Sequence, residues 1–401
     1  MKKNSKLLII SSIIILILIF VFMIFGGFSV SETIEGSTNH DSSIKPKIIT
    51  DEFILEEVVA ASAATDIIFL EDGRMLWSEL NSGKIMQFKD GSSSVFSIVP
   101  NHLIPSELDG EAGVMGMAVD SEFKKHPYIY VYYTSNGTSK IVRFEDVNGE
   151  GRNMELIFDD IVQGKIHNGG PLIFGEDNLL YVSTGDATKI KFELDLTNPA
   201  QNVTSRNGKI LRMTRDGEIP EDNLFENSFT FALGVRNPYG FDFNPANKKL
   251  YVADQGIDCC EEITILNEGD NSGWPFEMGA VRGSIYKQPI YSWNGPDRVS
   301  PTGFAFYDSD KYIKYNQMAF MTTWKTSQIY LFEIDDDKIV TNSIYNVFLQ
   351  AHEYEDVVAK VAHEEHGHFY SGLLDIEVSP DGEIFFSDIA HIFKIIPKNL
   401  D

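Results

Sequence analysis

From about residue 51 to the C-terminus, one pattern of turn and strand recurs along the chain. A turn rich in Gly, Asp or Asn precedes a short apolar or alternating run, and a second such run follows. Examples begin at Glu71, Pro127, Asp177, Lys248 and Asp381. Helical periodicity is lacking throughout this region. Many short strands without helices predict a sandwich, a barrel or a propeller.

The size of this region favours the propeller. About 350 residues are too many for an ordinary sandwich, whereas six blades of roughly 58 residues could each hold four strands. We therefore predict an all-β fold, a six-bladed β-propeller over residues 51–401. We also expect the segment that begins at Phe53 to pair with the last blade and close the ring.

The N-terminal residues predict a membrane anchor. Residues 7–28 are almost wholly apolar and long enough to span a bilayer as one transmembrane helix. Lys2, Lys3 and Lys6 precede this run, so the positive-inside rule places residues 1–6 in the cytoplasm and the propeller outside the cell. A cleaved signal peptide is the alternative. Residues 29–50, rich in Ser, Thr, Gly and Lys, predict a flexible linker.

The balance of charge limits the possible partners. The chain has 59 acidic and 33 basic residues, a formal net charge of −26. Such a surface repels phosphate backbones, so nucleic acid is not an expected partner. The two cysteines, Cys259 and Cys260, are adjacent, and a vicinal disulfide and a pair of free thiols both remain open.

A histidine in a tight turn is the first candidate for chemistry. His167 precedes Asn168 and two glycines, and the strand that follows ends at Gly185 and Asp186. The pKa of histidine lies near neutrality, so His167 could act as a general base that a nearby Asp orients. The alternative is a turn histidine that only bonds a neighbouring carbonyl group.

Two basic residues stand among apolar ones in the sequence, Arg236 and Lys325. Buried cations need partners, which could be internal salt bridges or an anionic ligand. The segment from Asp254 to Glu262 carries four acids. It could contribute to a Ca²⁺ site or form a solvated acidic loop.

Seven segments together resemble the soluble quinoprotein glucose dehydrogenase and aldose sugar dehydrogenase family, also called glucose/sorbosone dehydrogenases. They stand in family order between about residues 55 and 397. The segments begin at Gly110 (GEAGVMGMA), His167 (HNGGP), Ala200 (AQN, then GKILR from Gly208), Gly234 (GVRNPYG), Gln255 (QG, then NSGWP from Asn271), Ser300 (SPTGFAFY) and Asp375 (DIEVSPDG).

This resemblance implies a propeller with pyrroloquinoline quinone (PQQ) at one end of its central channel. His167 would take the proton of the sugar's anomeric hydroxyl group, and Asp186 would support it. The backbone carbonyls of Gly256 and Ile257 would bind Ca²⁺. The cofactor-binding residues implied are Glu111, His167, Arg236, Asn237 and Lys325.

The sequence also departs from the family pattern. Relatives carry two arginines shortly before the last conserved strand, where this chain has Gly372 and Leu374. The aromatic residue that caps the cofactor in glucose dehydrogenases is not matched in place either, because Trp293 lies a few residues too early.

The resemblance and the apolar N-terminal run together predict a membrane-tethered quinoprotein that oxidises aldose sugars at the anomeric carbon to lactones and passes electrons to an external acceptor. A non-catalytic propeller that binds a sugar, glycan or protein partner is one alternative, which the loss of the two arginines favours. A Ca²⁺-dependent lactone hydrolase is another, and it requires a metal held by carboxylates in the channel.

Overall fold

The computed structural model describes residues 47–48, 52–100, 110–187, 197–257, 260–293, 299–348, 363–365, 368–370 and 372–398. The predicted transmembrane helix, the N-terminal residues 1–6 and nearly all of the predicted linker lie outside this part of the chain. Among the described residues, no helix has the length and apolar character needed to cross a membrane.

The described structure is all-β, with two short 3₁₀ turns at Pro199–Gln201 and Ile313–Tyr315. The strands are β1 (Lys47–Ile48), β2 (Phe53–Ala60), β3 (Ala64–Phe69), β4 (Met75–Glu79), β5 (Lys84–Lys89), β6 (Ser92–Ile98), β7 (Val114–Val119), β8 (Tyr128–Ser135), β9 (Thr138–Val147), β10 (Glu150–Val162), β11 (Leu172–Phe174), β12 (Leu180–Thr184), β13 (Lys209–Met213), β14 (Thr230–Leu233), β15 (Pro238–Phe243), β16 (Leu250–Asp254), β17 (Glu262–Leu266), β18 (Tyr291–Ser292), β19 (Pro301–Phe306), β20 (Ala319–Thr323), β21 (Gln328–Asp335), β22 (Lys338–Phe348), β23 (His363–Glu365), β24 (His368–Tyr370), β25 (Asp375–Val378), β26 (Ile384–Ser387) and β27 (His391–Pro397).

These strands form six antiparallel blades, which confirms the predicted six-bladed propeller. Blades 1 to 5 each take four consecutive strands, beginning at β3, β7, β11, β15 and β19. Blade 6 contains β25, β26, β27 and, at its outer edge, β2. β1 adds a fifth strand to blade 5 with Lys47 opposite Phe348, so a strand lies within the predicted linker. β23 and β24 form a separate hairpin.

The N-terminal strand closes the ring, as the sequence predicted. β2 pairs with β27 along its whole length, from Phe53 opposite Pro397 to Ala60 opposite His391. The first strand of the domain therefore belongs to the last blade, and the backbone hydrogen bonds between them hold the two ends of the domain together. The chain then continues from β2 directly into blade 1, so the last blade and the first are joined through the chain itself.

The core is divided among the interfaces between neighbouring blades. Each of six buried apolar clusters draws its members mainly from two adjacent blades. Strand β8 shows the pattern, since Tyr130 and Tyr132 face blade 3 whereas Ile129 and Val131 face blade 1. Alternate side chains of a strand point to opposite faces, so a blade buried on both faces needs apolar residues at every position.

Ion pairs add a second link between blades on one face of the propeller. In the part of the chain that the structure describes, five of the six blade boundaries carry a basic side chain of one blade paired with an acid of the next. The pairs are Arg74–Asp146, Arg143–Asp216, Arg212–Glu268, Lys249–Asp337 and Lys311–Glu383.

Carboxylates of the innermost strands form a third link, inside the central channel. Asp66 accepts the backbone N–H of Met117, Asp375 accepts that of Ile67, and Asp242 accepts that of Phe306. Each bond joins one blade to its neighbour. These acids line a cavity of about 390 Å³. Burial raises the pKa of Asp242 to about 7, although the N–H groups of Phe306 and Phe243 oppose the shift.

The raised pKa of Asp242 predicts that the stability of the propeller depends on pH. The substitution Asp242→Asn should make this pH dependence smaller. A carboxyl group whose pKa is raised by folding stabilises the fold below its unfolded pKa, and this contribution disappears as the pH rises through the folded value near 7. Between pH 5.5 and 8.5 the Tm of the variant should therefore fall less than that of the wild type. Each kcal/mol of unfolding free energy that Asp242 loses over this range corresponds to about 2–4 °C of Tm.

Calorimetric scans at the two pH values measure this difference. Asp159→Asn is the matched control, because it removes the same charge from an exposed position on β10. An equal change of Tm with pH in Asp242→Asn and the wild type would contradict the burial argument.

Candidate active site

Blade topology places every predicted site residue on one face of the propeller. Because the strands of a blade alternate in direction, the loops between blades and the loops between second and third strands emerge at the same end. Glu111, His167 and Arg236 precede the first strands of blades 2, 3 and 4. Asp186, Gly256 and Lys325 follow the second strands of blades 3, 4 and 5. The interblade ion pairs lie on the opposite face.

His167 and Asp186 form a buried pair at this face. The Nδ1 atom of His167 lies 2.9 Å from Oδ1 of Asp186, whose side chain is 0% exposed. His167 also has a left-handed backbone with φ of 60°, which non-glycine residues adopt uncommonly and often at functional sites. A carboxylate on Nδ1 favours the tautomer whose basic nitrogen is Nε2. The arrangement therefore supports proton abstraction by Nε2.

The second oxygen of Asp186 is held by two donors. Nδ2 of Asn198 lies 3.2 Å from Oδ2, and the indole Nε1 of Trp274 lies 2.7 Å from the same atom. The backbone N–H of Asp186 donates to the carbonyl of Arg236 at 2.8 Å. With these bonds made, the carboxylate has little freedom to turn away from His167.

Glu111 and Asn237 support the histidine loop from the other side. Oε2 of Glu111 accepts the backbone N–H of His167 at 2.7 Å and Nδ2 of Asn237 at 3.0 Å. Asn237 is 0% exposed, and its Oδ1 atom accepts the N–H of Gly169. Its side chain thus links the loops that carry Glu111 and Gly169 to its own loop.

Arg236 connects to the pair through its backbone carbonyl, which accepts the N–H of Asp186, and through the Trp274 ring. Its guanidinium group is 5.4 Å from the centre of the Trp274 ring, and Nη1 donates to the carbonyls of Gln255 and Gly256 at 2.8 and 2.9 Å. Asp254 fixes the backbone, because its two carboxylate oxygens accept the N–H groups of Arg236 and Asn237. Burial raises the pKa of Asp254 to about 6, opposed by those two bonds.

The predicted calcium ligands lie in the loop that follows β16. The carbonyl of Gly256 already accepts a hydrogen bond from Arg236, so a cation bound there would compete with the guanidinium group. Among the described residues, no group of three or more His, Cys, Asp or Glu side chains could hold a metal ion. The predicted ligands are backbone carbonyls rather than side chains of these types, so the Ca²⁺ site stays a prediction.

The alternative of a solvated acidic loop is wrong for the three acids of this segment that the structure describes. Asp254, Glu261 and Glu262 are all buried. Burial raises the pKa of Glu262 to about 8, and the neighbouring Asp254 adds to the shift. Cys260 of the same segment is disulfide-bonded.

Lys325 differs from the prediction that it lies in apolar surroundings. Its side chain is exposed, and among the described residues it has neither an ion pair nor a hydrogen bond through Nζ. The apolar neighbours in the sequence belong to β20 and β21, whereas Lys325 lies in the loop between these strands. The loop presents this cation to solvent at the face that carries His167.

At Gly372, one of the two positions where relatives carry an arginine, the ring of Trp324 occupies the space that a side chain would need. Gly372 has φ of 42°, and a Cβ atom there would lie 2.3 Å from Cε3 of Trp324. Leu374 is buried, so an arginine at this position would bury its charge. Trp293 is half-buried and packs against Tyr291 and Tyr330, which agrees with its displaced position in the sequence.

Sequence reasoning missed the residues that orient the pair. Asp254, Trp274 and Asn198 were not assigned roles, although Trp274 stands in a motif that the resemblance used. Their partners lie up to 88 positions away in the chain, and single-sequence patterns carry no information on such contacts. The only signal in the sequence was the indole of Trp274 next to glycine and proline in the matched segment from Asn271.

Comparison with known proteins supports the family resemblance seen in the sequence. A profile of the glucose/sorbosone dehydrogenase family matches residues 62–388. Quinoprotein glucose dehydrogenase B of Acinetobacter calcoaceticus is 32% identical over 248 residues, which are 55% of this chain and 52% of that protein. Aldose sugar dehydrogenase YliI of Escherichia coli K12 is 25% identical over 302 residues, 68% of this chain and 78% of that protein. The chain thus spans about half of the first relative's length.

A solved structure shows the same fold. The PQQ-bound form of aldose sugar dehydrogenase from Streptomyces coelicolor has a TM-score of 0.69 and 22% identity, over 88% of this chain and 98% of that one.

The contact between Gly372 and Trp324 predicts a specific loss of stability in Gly372→Ala. The new Cβ adds both a strained backbone and a clash with the indole ring, together about 1–3 kcal/mol of unfolding free energy. Gly91→Ala is the control, because Gly91 also has positive φ, 77°, but no atom near its Cβ position. Denaturant unfolding should show a larger loss at Gly372, and Trp324→Ala should remove the excess. Equal losses at Gly91 and Gly372 would contradict the contact.

Proposed function

Because the chain belongs to the glucose/sorbosone dehydrogenase family, we propose that it oxidises aldose sugars at the anomeric carbon with PQQ as the hydride acceptor. The observation that carries this proposal is the buried His167–Asp186 pair, with the Arg236 guanidinium group over the Trp274 ring whose indole N–H donates to Asp186. A base and an adjacent fixed cation are what proton abstraction next to an anionic cofactor requires.

The proposed reaction converts the anomeric carbon to a lactone carbonyl. Nε2 of His167 takes the proton of the anomeric hydroxyl group while the C1–H bond breaks, and the electron pair left on oxygen forms the C=O bond. PQQ, when bound, would accept the hydride from C1 and so be reduced by two electrons. An external acceptor, whose identity stays open, then removes those electrons. Asp186 stabilises the charge that develops on the imidazole ring.

The residues present fit an anionic cofactor. Arg236 and Lys325 supply two cations on the face that carries His167, and Trp324 supplies an aromatic surface next to Lys325. These groups would hold the carboxylates and quinone oxygens of PQQ. Since Leu374 is buried and Trp324 lies over Gly372, we infer weaker PQQ binding than in relatives that keep both arginines.

The proposed Ca²⁺ ligands in this chain are backbone carbonyl groups. The carbonyls of Gly256 and Ile257 would hold Ca²⁺ if Arg236 turned from Gly256 toward the cofactor. No step of the proposed reaction is assigned to the ion.

We further propose that residues 7–28 tether the propeller, residues 51–401, to the cell membrane on its outer side. The support is the apolar run and the basic residues that precede it. Residues 44–401 form one compact unit of their own.

A non-catalytic propeller is the second candidate. The observation that favours it is the absence of cations at Gly372 and Leu374, which removes two anchors for a tricarboxylate. A folded protein without detectable PQQ binding at high micromolar concentration would select this candidate.

His167→Gln should remove most sugar oxidation and leave the fold intact. The loss of a general base costs about 10²–10⁴-fold in rate. The assay uses PQQ, Ca²⁺, aldoses and an artificial electron acceptor, with circular dichroism to verify folding. His126→Gln, in the loop between β7 and β8 on the opposite face, is the control. Turnover near the wild-type value in His167→Gln would exclude His167 as the base.

Lys325→Met should weaken PQQ binding. One charge-assisted hydrogen bond is worth about 1.5–3 kcal/mol, so the Kd measured by calorimetry should rise about 10–150-fold. Lys314→Met removes an exposed lysine from the 3₁₀ turn that begins at Ile313, on the opposite face, and should leave the Kd unchanged. If both variants bind PQQ like the wild type, Lys325 has no part in the cofactor site.

The tether predicts that residues 44–401 stay in solution without detergent, because the acidic surface keeps the propeller soluble. Sedimentation of the purified fragment at moderate salt measures this. Aggregation of the fragment, beside a well-behaved full-length protein in detergent, would show that the N-terminal segment does more than anchor the domain.

A further inference from the structure

Lys209 is a buried cation to which the proposed reaction gives no role. It belongs to the segment from Gly208 that the family resemblance used, and its side chain is 0% exposed. Among the described residues, no carboxylate pairs with its ammonium group. Burial alone lowers its pKa to about 7. A buried charge without a counterion is costly, so the bonds that it makes must matter to the local structure.

The ammonium group of Lys209 donates to backbone carbonyls that converge on it. Nζ lies 2.8 Å from the oxygen of Pro199, 2.9 Å from that of Ala200 and 2.8 Å from that of Asn207. Two of these carbonyls belong to the 3₁₀ turn Pro199–Gln201. Three donors in tetrahedral directions are what an ammonium group supplies and an apolar side chain cannot.

The same turn holds both donors to the second oxygen of Asp186. Asn198 caps the turn, since its Oδ1 atom accepts the N–H of Ala200, and its Nδ2 atom donates to Asp186. Gln201 donates to the backbone carbonyl of Trp274 at 2.6 Å, and the indole of Trp274 donates to Asp186 at 2.7 Å. A displacement of the turn would therefore move Asn198 and Trp274 together.

We propose that Lys209 is a positioning residue whose ammonium group fixes the turn Pro199–Gln201 and thereby the orientation of the Asp186 carboxylate toward His167. Lys209 touches neither His167 nor Asp186, and it acts through Asn198, Gln201 and Trp274. The catalytic consequence rests on the proposed function, whereas the structural consequence does not.

The test compares Lys209→Met with Lys249→Met in the full-length protein. Lys249 pairs with Asp337 on the opposite face and serves as the control. The structural readout is the indole N–H resonance of Trp274 in ¹⁵N-tryptophan-labelled protein, assigned through Trp274→Phe. Lys209→Met should displace this resonance and speed its solvent exchange, and Lys249→Met should not. In the sugar assay, kcat/KM of Lys209→Met should fall by about 10–100-fold, as for a catalytic group that is slightly misplaced.

Asn198→Ala keeps the inference testable if Lys209→Met does not fold. This variant separates the turn from Asp186 and leaves Lys209 in place, so it should displace the same resonance. An unmoved Trp274 resonance in Asn198→Ala, or in a folded Lys209→Met, would overturn the inference. A displaced resonance in a protein whose wild type shows no sugar oxidation would support the positioning role and reject the proposed function.

Discussion

The pairing of β2 with β27 is the constraint on which the rest of the structure depends. A ring of blades buries its core between neighbours, so each blade needs two partners, and the last blade must meet the first. The eight residues of β2 meet this need by completing blade 6 before the chain enters blade 1. Six apolar clusters, the channel carboxylates and the ion pairs of one face then hold the blades at fixed angles. The loops on the face that carries His167 are therefore attached to strands whose relative positions are fixed.

The candidate site uses that rigidity to hold a carboxylate in one orientation. Asp186 receives one bond from His167 and two from donors that belong to the loops of other strands. These loops are themselves tied by buried polar groups, of which Lys209 and Asp254 are the clearest examples. Buried polar groups fully satisfied in this way define one geometry and leave few alternatives. The candidate site residues thus lie on loops, and hydrogen bonds from buried polar groups beneath these loops fix their positions.

The sequence predicted the fold and the main residues of the candidate site, but few of the contacts that these residues make. Strand content, blade number and the closing strand followed from turn residues and period-two apolar patterns, which are local signals. His167 and Asp186 were paired through the family resemblance, and the propeller brings the two strand boundaries that carry them to one face. Lys325 was expected among apolar residues but is exposed, since apolar neighbours in sequence do not show which way a loop residue points. The contact of Trp324 with Gly372 depends on a φ value and a distance between blades, and neither is visible in one sequence.

We propose that this propeller removes a hydride from the anomeric carbon of an aldose. A single-turnover experiment tests this most directly. The PQQ-loaded full-length protein is mixed without oxygen with glucose or with glucose deuterated at C1, and reduction of the cofactor is followed by absorbance. Reduction by the unlabelled sugar and a several-fold slower reduction by the deuterated sugar are the predicted result. Cofactor that binds but is not reduced by glucose or by a panel of other aldoses would contradict the account.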